Sequence, residues 1–339
     1  MSLILHALLF TCAACGVLFP LKDGFPDPSP LQLLSVGSHS LGTLSSGSLP
    51  ATISTEGITN LQLLAFNEMV AVAFFSELVA NLTEGIEGFN LLPGQDHVVP
   101  AIVATLQQEE LHAVNANAAL QHFGVNPMAP CTYTFPVASV EDAIYWASVV
   151  TAAVLGAQHG VIQNLAENGD VGLVQGLVSI TGQEGEQEGF FRELQGKIPN
   201  ELPFLTSSTR EFLFSALRRV ADPLCASLEG ISLPSFFPLD VAIFPDPNSP
   251  IITLTYSALE ADCSSLSVVY TNQQNPPIVK PIMFESITED LITVKAQFPQ
   301  DEFSINGLTI IALTSQPGPF KDASDVAKAT VFGPAFVIL

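Results

Sequence analysis

The sequence predicts an α+β multidomain protein, in which an antiparallel four-helix bundle with a fifth short helix precedes a small antiparallel β-sandwich. Helical apolar periodicity fills four long segments, about 59–82, 97–123, 139–167 and 170–196. The connections between them are short, which favours antiparallel neighbours. After about residue 231 the pattern changes to β-prone runs such as IITLTYS and LTIIALTS, separated by turn residues. With 339 residues, 48% of them hydrophobic, the chain can bury two ordinary cores.

The first 56 residues precede the predicted bundle. Residues 1–16 are mostly apolar and end in small residues, as in a cleaved secretory signal peptide, although no Lys or Arg marks their start. An uncleaved signal anchor is the alternative. Residues 17–56 include the Ser- and Gly-rich stretch VGSHSLGTLSSGSLPATISTE, whose lack of apolar periodicity predicts an extended leader. We therefore expect a secreted, extracellular protein whose later apolar stretches are too short to span a membrane.

The predicted bundle occupies residues 57–230 and the predicted sandwich residues 231–339. The fifth helix is expected in SSTREFLFSALRRV, which begins with residues that cap helices and has arginines near its end. The sandwich is expected to use the runs LSVVYTN, LITVKAQF and ATVFGPAFVIL in addition to the two already quoted.

The charge balance excludes several classes of partner. Ten Lys and Arg residues stand against 33 Asp and Glu residues, a formal net charge of -23. Nucleic acids and anionic membrane surfaces would repel such a chain. The sequence also lacks a Gly-rich phosphate loop, a Gly-x-Ser-x-Gly elbow and a Cys/His zinc pattern. It identifies no physiological partner.

Three cysteines follow the predicted signal peptide. Cys131 and Cys225 each close a helical segment, so we pair them, one choice among three, and leave Cys263 without an assigned partner. The sequence Asn81-Leu82-Thr83 is an N-glycosylation sequon at the end of the first long helix. It predicts a glycan on Asn81.

Each long helix carries polar residues near its midpoint, on the apolar stripe that must be buried. In chain order these residues are Glu68, Glu109 with His112, Gln158, and Glu184 with Gln187. A buried carboxylate is costly unless it is paired, protonated or bound to a metal. Their recurrence in four helices predicts a shared polar site inside the bundle.

The spacing of these residues matches half of a di-metal carboxylate site. Such bundles use a Glu from each of two helices and Glu-x-x-His from each of the other two. Glu109 and His112 form an intact Glu-x-x-His, and Glu68 is an intact partner. Gln158 stands where a Glu is expected, and Gln187 stands where the second His is expected.

Two interpretations of this polar site remain open. In one, a Mn or Fe ion is held by Glu68, Glu109, His112 and Glu184. In the other, the Glu and Gln side chains hydrogen-bond to one another without an ion, and some carboxyls are protonated. Glu188 is interpreted as a boundary residue, and the glycines beside it are expected to permit close helix packing: Gly182, Gly185 and Gly189.

Four segments carry a resemblance to a known family: LQLLAFNEMVAVAFF, QQEELHAVNANAAL, TGQEGEQEGFFREL and KIPNELPFLTSSTREFLFSAL. They resemble the secreted fungal ferritin-like proteins of the late sexual development or stress-response type, which are distantly related to ferritin-like desiccation-related proteins. The resemblance covers nearly the whole chain. It implies a ferritin-like helical domain, a β-rich C-terminal region, and Gln at positions 158 and 187 as a family trait. It implies no established reaction.

Two functions are therefore considered. The first is a non-catalytic structural or interaction protein of fungal development or stress response, a cell-wall or matrix component with the sandwich as its interaction module. The alternative is a Mn- or Fe-dependent oxidoreductase, oxidase or catalase-like, whose site residues are Glu68, Glu109, His112 and Glu184.

Overall fold

A computed structural model describes residues 17–339, except 246–248, 260–264 and 303–304. The predicted signal peptide, 1–16, and Cys263 lie outside the described residues. The helices are α1 (Pro30–Ser40), α2 (Thr55–Glu84), α3 (Val98–His122), α4 (Val140–Glu167), α5 (Val174–Leu194), α6 (Arg210–Arg218), α7 (Ala226–Glu229) and α8 (Ala323–Ala329), with a 3₁₀ turn at Val171–Leu173 before α5. The strands are β1 (Asp240–Ile243), β2 (Ile251–Ser257), β3 (Ser267–Asn272), β4 (Ile278–Pro281), β5 (Phe284–Thr288), β6 (Leu291–Gln297), β7 (Leu308–Thr314) and β8 (Thr330–Ile338).

Helices α2 to α5 form the bundle, and their ends follow local chemistry. The Ser54 side chain caps α2 by accepting from Gly57 N, and the left-handed Gly85 ends it. Ser139 caps α4 in the same way as Ser54 caps α2. Helix α2 packs mainly on α3, and α4 mainly on α5, so the bundle consists of two helix pairs. The predicted fifth helix is α6, capped by Thr209.

The predicted extended stretch is wrong at its start, because its first residues belong to α1 (Pro30–Ser40), which lies against α3. Ser29 and Gln32 make a capping box, and Pro30 occupies the first helical position. These start signals are present in the sequence, but α1 has too few apolar residues in register for periodicity to detect it. Residues 43–54 form no further helix or strand.

The C-terminal part contains two antiparallel sheets of four strands each, in the orders β1-β2-β6-β5 and β4-β3-β7-β8. Alternate residues of both sheets meet in one core, which includes Leu254, Val294, Tyr270 and Leu313. The predicted α+β fold class, with a bundle followed by a sandwich, is confirmed. Strands β1, β4 and β5 and helix α8 were not among the predicted elements.

The second sheet is buried on both faces. Its other side, with Val269 and Ile310, packs against Val149 of α4 and Phe212 of α6. Every residue of β7 is buried as a result. The sandwich is therefore fixed directly to the helical bundle.

A disulfide joins the connection between α3 and α4 to the residue that begins α7. The structure pairs Cys131 with Cys225, with the two sulfur atoms 1.98 Å apart. Asn81 of the predicted glycosylation site lies in the last turn of α2 and is half-buried. Glycosylation there stays a prediction.

Helices α2 and α4 are long and apolar enough to cross a membrane by length and composition. The expectation that later apolar stretches are too short needs this correction. Most of the apolar stretch of each helix is buried inside the protein, 67% of it in α2 and 61% in α4. Buried core helices meet the same criterion, so this is weak evidence for a membrane span.

Candidate metal centre

The predicted polar residues come together in the middle of the bundle. Glu68 projects from α2, Glu109 and His112 from one face of α3, and Glu184 from α5. One ligand atom from each of these four side chains lies within 4.8 Å of the others. The helical wheel thus identified four side chains that the fold brings within reach of one ion.

The three carboxylates of this group are almost fully buried. Glu68 is 2% exposed, and Glu109 and Glu184 are each 3% exposed. The His112 Nδ1 atom lies 3.4 Å from Glu109 Oε2 and 3.8 Å from Glu68 Oε2. The imidazole therefore sits between carboxylates from two different helices.

The two glutamines at altered positions donate to the carboxylates. Gln158 Nε2 donates to Glu184 Oε2 at 2.8 Å, and Gln187 Nε2 donates to Glu109 Oε1 at 2.6 Å. Each amide presents its N–H group to the centre, and an N–H group cannot ligate a metal. The amide oxygen of Gln158 is buried without a hydrogen-bond partner and is left as a further donor atom.

Several buried atoms at the centre have no hydrogen-bond partner: Glu68 Oε2, His112 Nδ1, Gln158 Oε1 and Glu184 Oε1. Buried polar atoms in native proteins are nearly always paired, with protein, water or an ion. Four unpaired atoms on four different helices point to a group that completes the site.

The carboxylates differ in how strongly they hold a proton. Burial and the nearby Glu109 raise the pKa of Glu68 and of Glu184 well above the usual value. Burial also raises the pKa of Glu109, but the His112 ring beside it outweighs that effect, and the pKa of Glu109 lies below its usual value. Glu109 therefore gives up its proton more readily than Glu68 or Glu184 does.

A comparison with protein families identifies this part of the chain. Residues 58–197, from the first turn of α2 to just after α5, match the family described as a ferritin-like domain. This segment is a ferritin-like domain. No curated protein matches the chain as a whole.

The donor set of the ferritin-like domain fits one ion and does not fit two. Three carboxylates and one imidazole converge, which suits a divalent ion such as Mn²⁺ or Fe²⁺. A second ion would need ligands from positions 158 and 187, where the amides instead hydrogen-bond to Glu184 and Glu109. These bonds occupy one oxygen of each of the two carboxylates.

The interpretation of Glu188 as a boundary residue is wrong. Glu188 is 3% exposed, and its Oε1 accepts from Ser148 Oγ at 2.8 Å. The segment after α5 covers this side of the helix: Arg192 Nε donates to Ile198 O at 2.9 Å. Helical periodicity could not reveal a cover that comes from outside the bundle.

The expectation that glycines of α5 permit close helix packing is also wrong. A Cβ atom added at Gly182 or Gly185 would meet nothing within 4 Å. At Gly189 the nearest atom is Pro199 O at 3.6 Å, an ordinary contact. These glycines lie on the outer side of α5.

Sequence reasoning missed a set of glutamines beside the centre. Gln183 Nε2 donates to Gln108 Oε1 at 2.8 Å, and Gln187 Nε2 reaches the same oxygen at 3.3 Å. Gln108 Nε2 in turn donates to the backbone oxygen of Ser40 at 3.3 Å. This chain of amides links the leader to Glu109. The signal in the sequence was the density of glutamine around the two Glu-rich motifs.

Proposed function

We propose that the ferritin-like domain holds one Mn or Fe ion, bound by Glu68, Glu109, His112 and Glu184. The observation that carries the proposal is the approach of these four ligand atoms to within 4.8 Å of one another. Unpaired lone pairs on three of the four residues support it. Metal sites in helical bundles are built in the same way, from carboxylate and imidazole side chains that project into the core from facing helices.

Charge supports a cation at this place. In the described part of the chain, no Lys or Arg forms an ion pair with any of the three carboxylates, and His112 is the one basic neighbour of Glu68 and Glu109. Three buried carboxylates without compensation are unfavourable. A divalent ion would replace the protons that Glu68 and Glu184 otherwise retain, so binding should release protons.

The roles of the individual residues follow from their contacts. A bound Mn or Fe ion would supply a redox couple and a Lewis acid. The four side chains of Glu68, Glu109, His112 and Glu184 would hold it. Gln158 and Gln187 orient Glu184 and Glu109 through their N–H groups, as second-layer donors do in other metal sites. Such a centre would support an oxidoreductase activity of the oxidase or catalase-like type.

The second candidate is a non-catalytic structural or interaction protein. The glutamine hydrogen bonds favour it, because they partly satisfy Glu184 and Glu109 without an ion. The raised pKa of Glu68 and of Glu184 is also compatible with a neutral network of protonated carboxyls. In that case the sandwich would carry the function as a cell-wall or matrix module.

We further propose that the protein is secreted and acts in fungal development or stress response. The apolar segment at residues 1–16 and the sequon at Asn81 support export. The disulfide between Cys131 and Cys225 is typical of oxidising compartments. Recovery from the culture medium, with sequencing of the mature N-terminus, tests this part.

Elemental analysis of the tag-free protein tests the metal. We expect about one Mn or Fe per chain in the wild type and almost none in His112→Ala. His122→Ala is the matched control, because His122 lies on the same helix, is exposed and bonds only to Pro50 O at 2.9 Å. Circular dichroism of both variants reports whether the helices remain.

The result also separates the two candidates. Metal that is lost in His112→Ala and kept in His122→Ala supports the metal-binding function. A wild type that takes up no metal, even when Mn²⁺ or Fe²⁺ is supplied under reducing conditions, supports the non-catalytic function.

A further inference from the structure

A cavity of about 520 Å³ lies between the two helix pairs of the bundle, next to the candidate metal centre. Glu68 and His112 line its inner end. Its outer end is lined by exposed residues of α5, Gln175, Gly176 and Ser179. The cavity therefore connects the protein surface with the buried centre.

Residues 45–49 of the leader form one wall of this cavity, and the leader is attached on both sides of them. Before them, the backbone oxygen of Ser40 accepts from Gln108. After them, Ser54 Oγ donates to Asp170 Oδ2 at 2.5 Å. The leader thus acts as a strap over the gap between α3 and α5, which do not pack closely.

The walls of the cavity carry almost no charge. Glu68 and His112, at the inner end, are its only ionisable residues among those that the structure describes. The middle is lined by apolar side chains, including Leu61, Leu64 and Leu177. A charged molecule would lose water in this passage without gaining an ionic partner there.

The size and lining suit a small organic molecule. Ligand pockets of about 300–1,000 Å³ with apolar walls and a few convergent polar groups are typical of small-molecule sites. Hydroxyl and amide groups such as those of Ser45 and Asn115 also line the cavity, and at its inner end Glu68 Oε2 and His112 Nδ1 have no hydrogen-bond partner. An occupant would place its apolar body against the leucines and its polar end toward these atoms.

We propose that this cavity binds a neutral, mainly apolar small molecule whose single polar end lies beside the metal centre at Glu68 and His112. The inference rests on the proposed function, since the occupant would be the substrate or effector of the metal centre. An anion is disfavoured because no Lys or Arg lines the passage and Glu68 lies at its end. The occupant enters between the strap and α5.

Two probes of similar size, one neutral and one negatively charged, test the proposal on the full chain. They are 2-naphthalenemethanol, which is neutral, and 2-naphthoate, which is an anion, and binding is followed by fluorescence titration. We expect saturable binding of the neutral probe and at least about tenfold weaker binding of the anion.

A pair of glycine variants locates the binding site. Gly176→Trp places a ring at the mouth of the cavity, and Gly185→Trp is its control on the same helix. A Cβ atom added at either position meets nothing within 4 Å and both glycines are exposed, so both variants should fold, but Gly185 does not line the cavity as Gly176 does. We expect Gly176→Trp to weaken the neutral probe about tenfold or more and Gly185→Trp to leave it unchanged.

Measuring the metal content of the same samples distinguishes a failure of the cavity proposal from a failure of the proposed metal-binding function. Both variants should keep the wild-type metal content, because neither Gly176 nor Gly185 is among the four candidate ligands. A metal-free wild type that still binds the neutral probe in a Gly176-dependent way would refute the proposed metal and support the cavity. Equal binding of both probes, no binding by the wild type, or equal effects of Gly176→Trp and Gly185→Trp would overturn the cavity proposal.

Discussion

Glu184 and Glu188 lie one turn apart on α5 and are equally buried, each 3% exposed, yet their surroundings differ completely. Glu184 faces the carboxylates of α2 and α3 at the bundle centre. Glu188 faces the Ser148 hydroxyl on α4, near the positive charges of Arg192 and Lys197. Burial by itself does not make a carboxylate a metal ligand.

The neighbours decide what each carboxyl can do. Around Glu184, the other acidic groups and an imidazole supply several donors and no compensating Lys or Arg ion pair among the described residues. Around Glu188, a hydroxyl donates to one oxygen, and the basic residues partly offset its burial. The first environment suits a cation, and the second suits a hydrogen-bonded carboxyl group.

The largest expected difference between the two carboxyl groups is in Mn²⁺ affinity when each is removed in turn. We expect Glu184→Ala to weaken Mn²⁺ binding by about 100-fold or more, because a direct ligand is lost. Glu188→Ala should leave Mn²⁺ affinity unchanged, since Glu188 is not among the four candidate ligands. Isothermal titration of chelator-treated protein measures both. Equal losses in the two variants would show that burial, and not the set of neighbours, governs the site.

Restoring the altered half of the centre should raise the metal stoichiometry. The double variant Gln158→Glu with Gln187→His completes the two-metal pattern, so we expect about two ions per chain in place of about one. Elemental analysis measures the ratio. A control with two exposed glutamines changed, Gln121→His with Gln163→Glu, should keep the wild-type ratio. A restored variant that stays at one ion would mean that these two glutamines do not limit the site.

The smallest expected effect concerns Glu188 and pH. Burial raises the pKa of Glu188 from 4.5 to about 8. The folded protein therefore holds a proton that the unfolded chain releases, and this stabilisation is lost as the pH rises from about 4.5 to about 8. Glu188→Gln removes the titration.

The stability of Glu188→Gln relative to the wild type should therefore increase across this pH range, by on the order of 2–4 kcal/mol, and level off above it. Urea denaturation at several pH values measures the difference. Glu186→Gln, an exposed neighbour on α5, is the control and should show little change. A stability difference for Glu188→Gln that is constant with pH would contradict the expected titration.

The sequence predicted the bundle and the centre for a simple reason. Long helices bury a stripe that repeats every 3.6 residues, so Glu68, Glu109 and Glu184 could be assigned to the interior from their phase alone. The β-prone runs were recognised in the same way, by their length and the turn residues between them. Both signals are local.

The errors arose where packing is not local. Glu188 is buried by the segment after α5, which no helical wheel includes. Helix α1 depends on a capping box and on contact with α3, so apolar periodicity did not reveal it. Gly182 lies on the outer side of α5, and a helical wheel by itself does not show which of the remaining faces of a helix packs against another helix. The cavity also depends on packing between distant segments, because the leader crosses the gap between α3 and α5 and forms one of the cavity walls.

The complete burial of β7 has a consequence for how the chain is made. Val269 and Ile310 of the second sheet form one continuous core with Val149 and Phe212 of the helices. During synthesis, this side of the bundle waits for the last strands of the chain before it is covered. A fragment that ended near residue 231 would leave the apolar side chains of Val149 and Phe212 exposed to solvent, so we expect it to be less soluble than the whole chain.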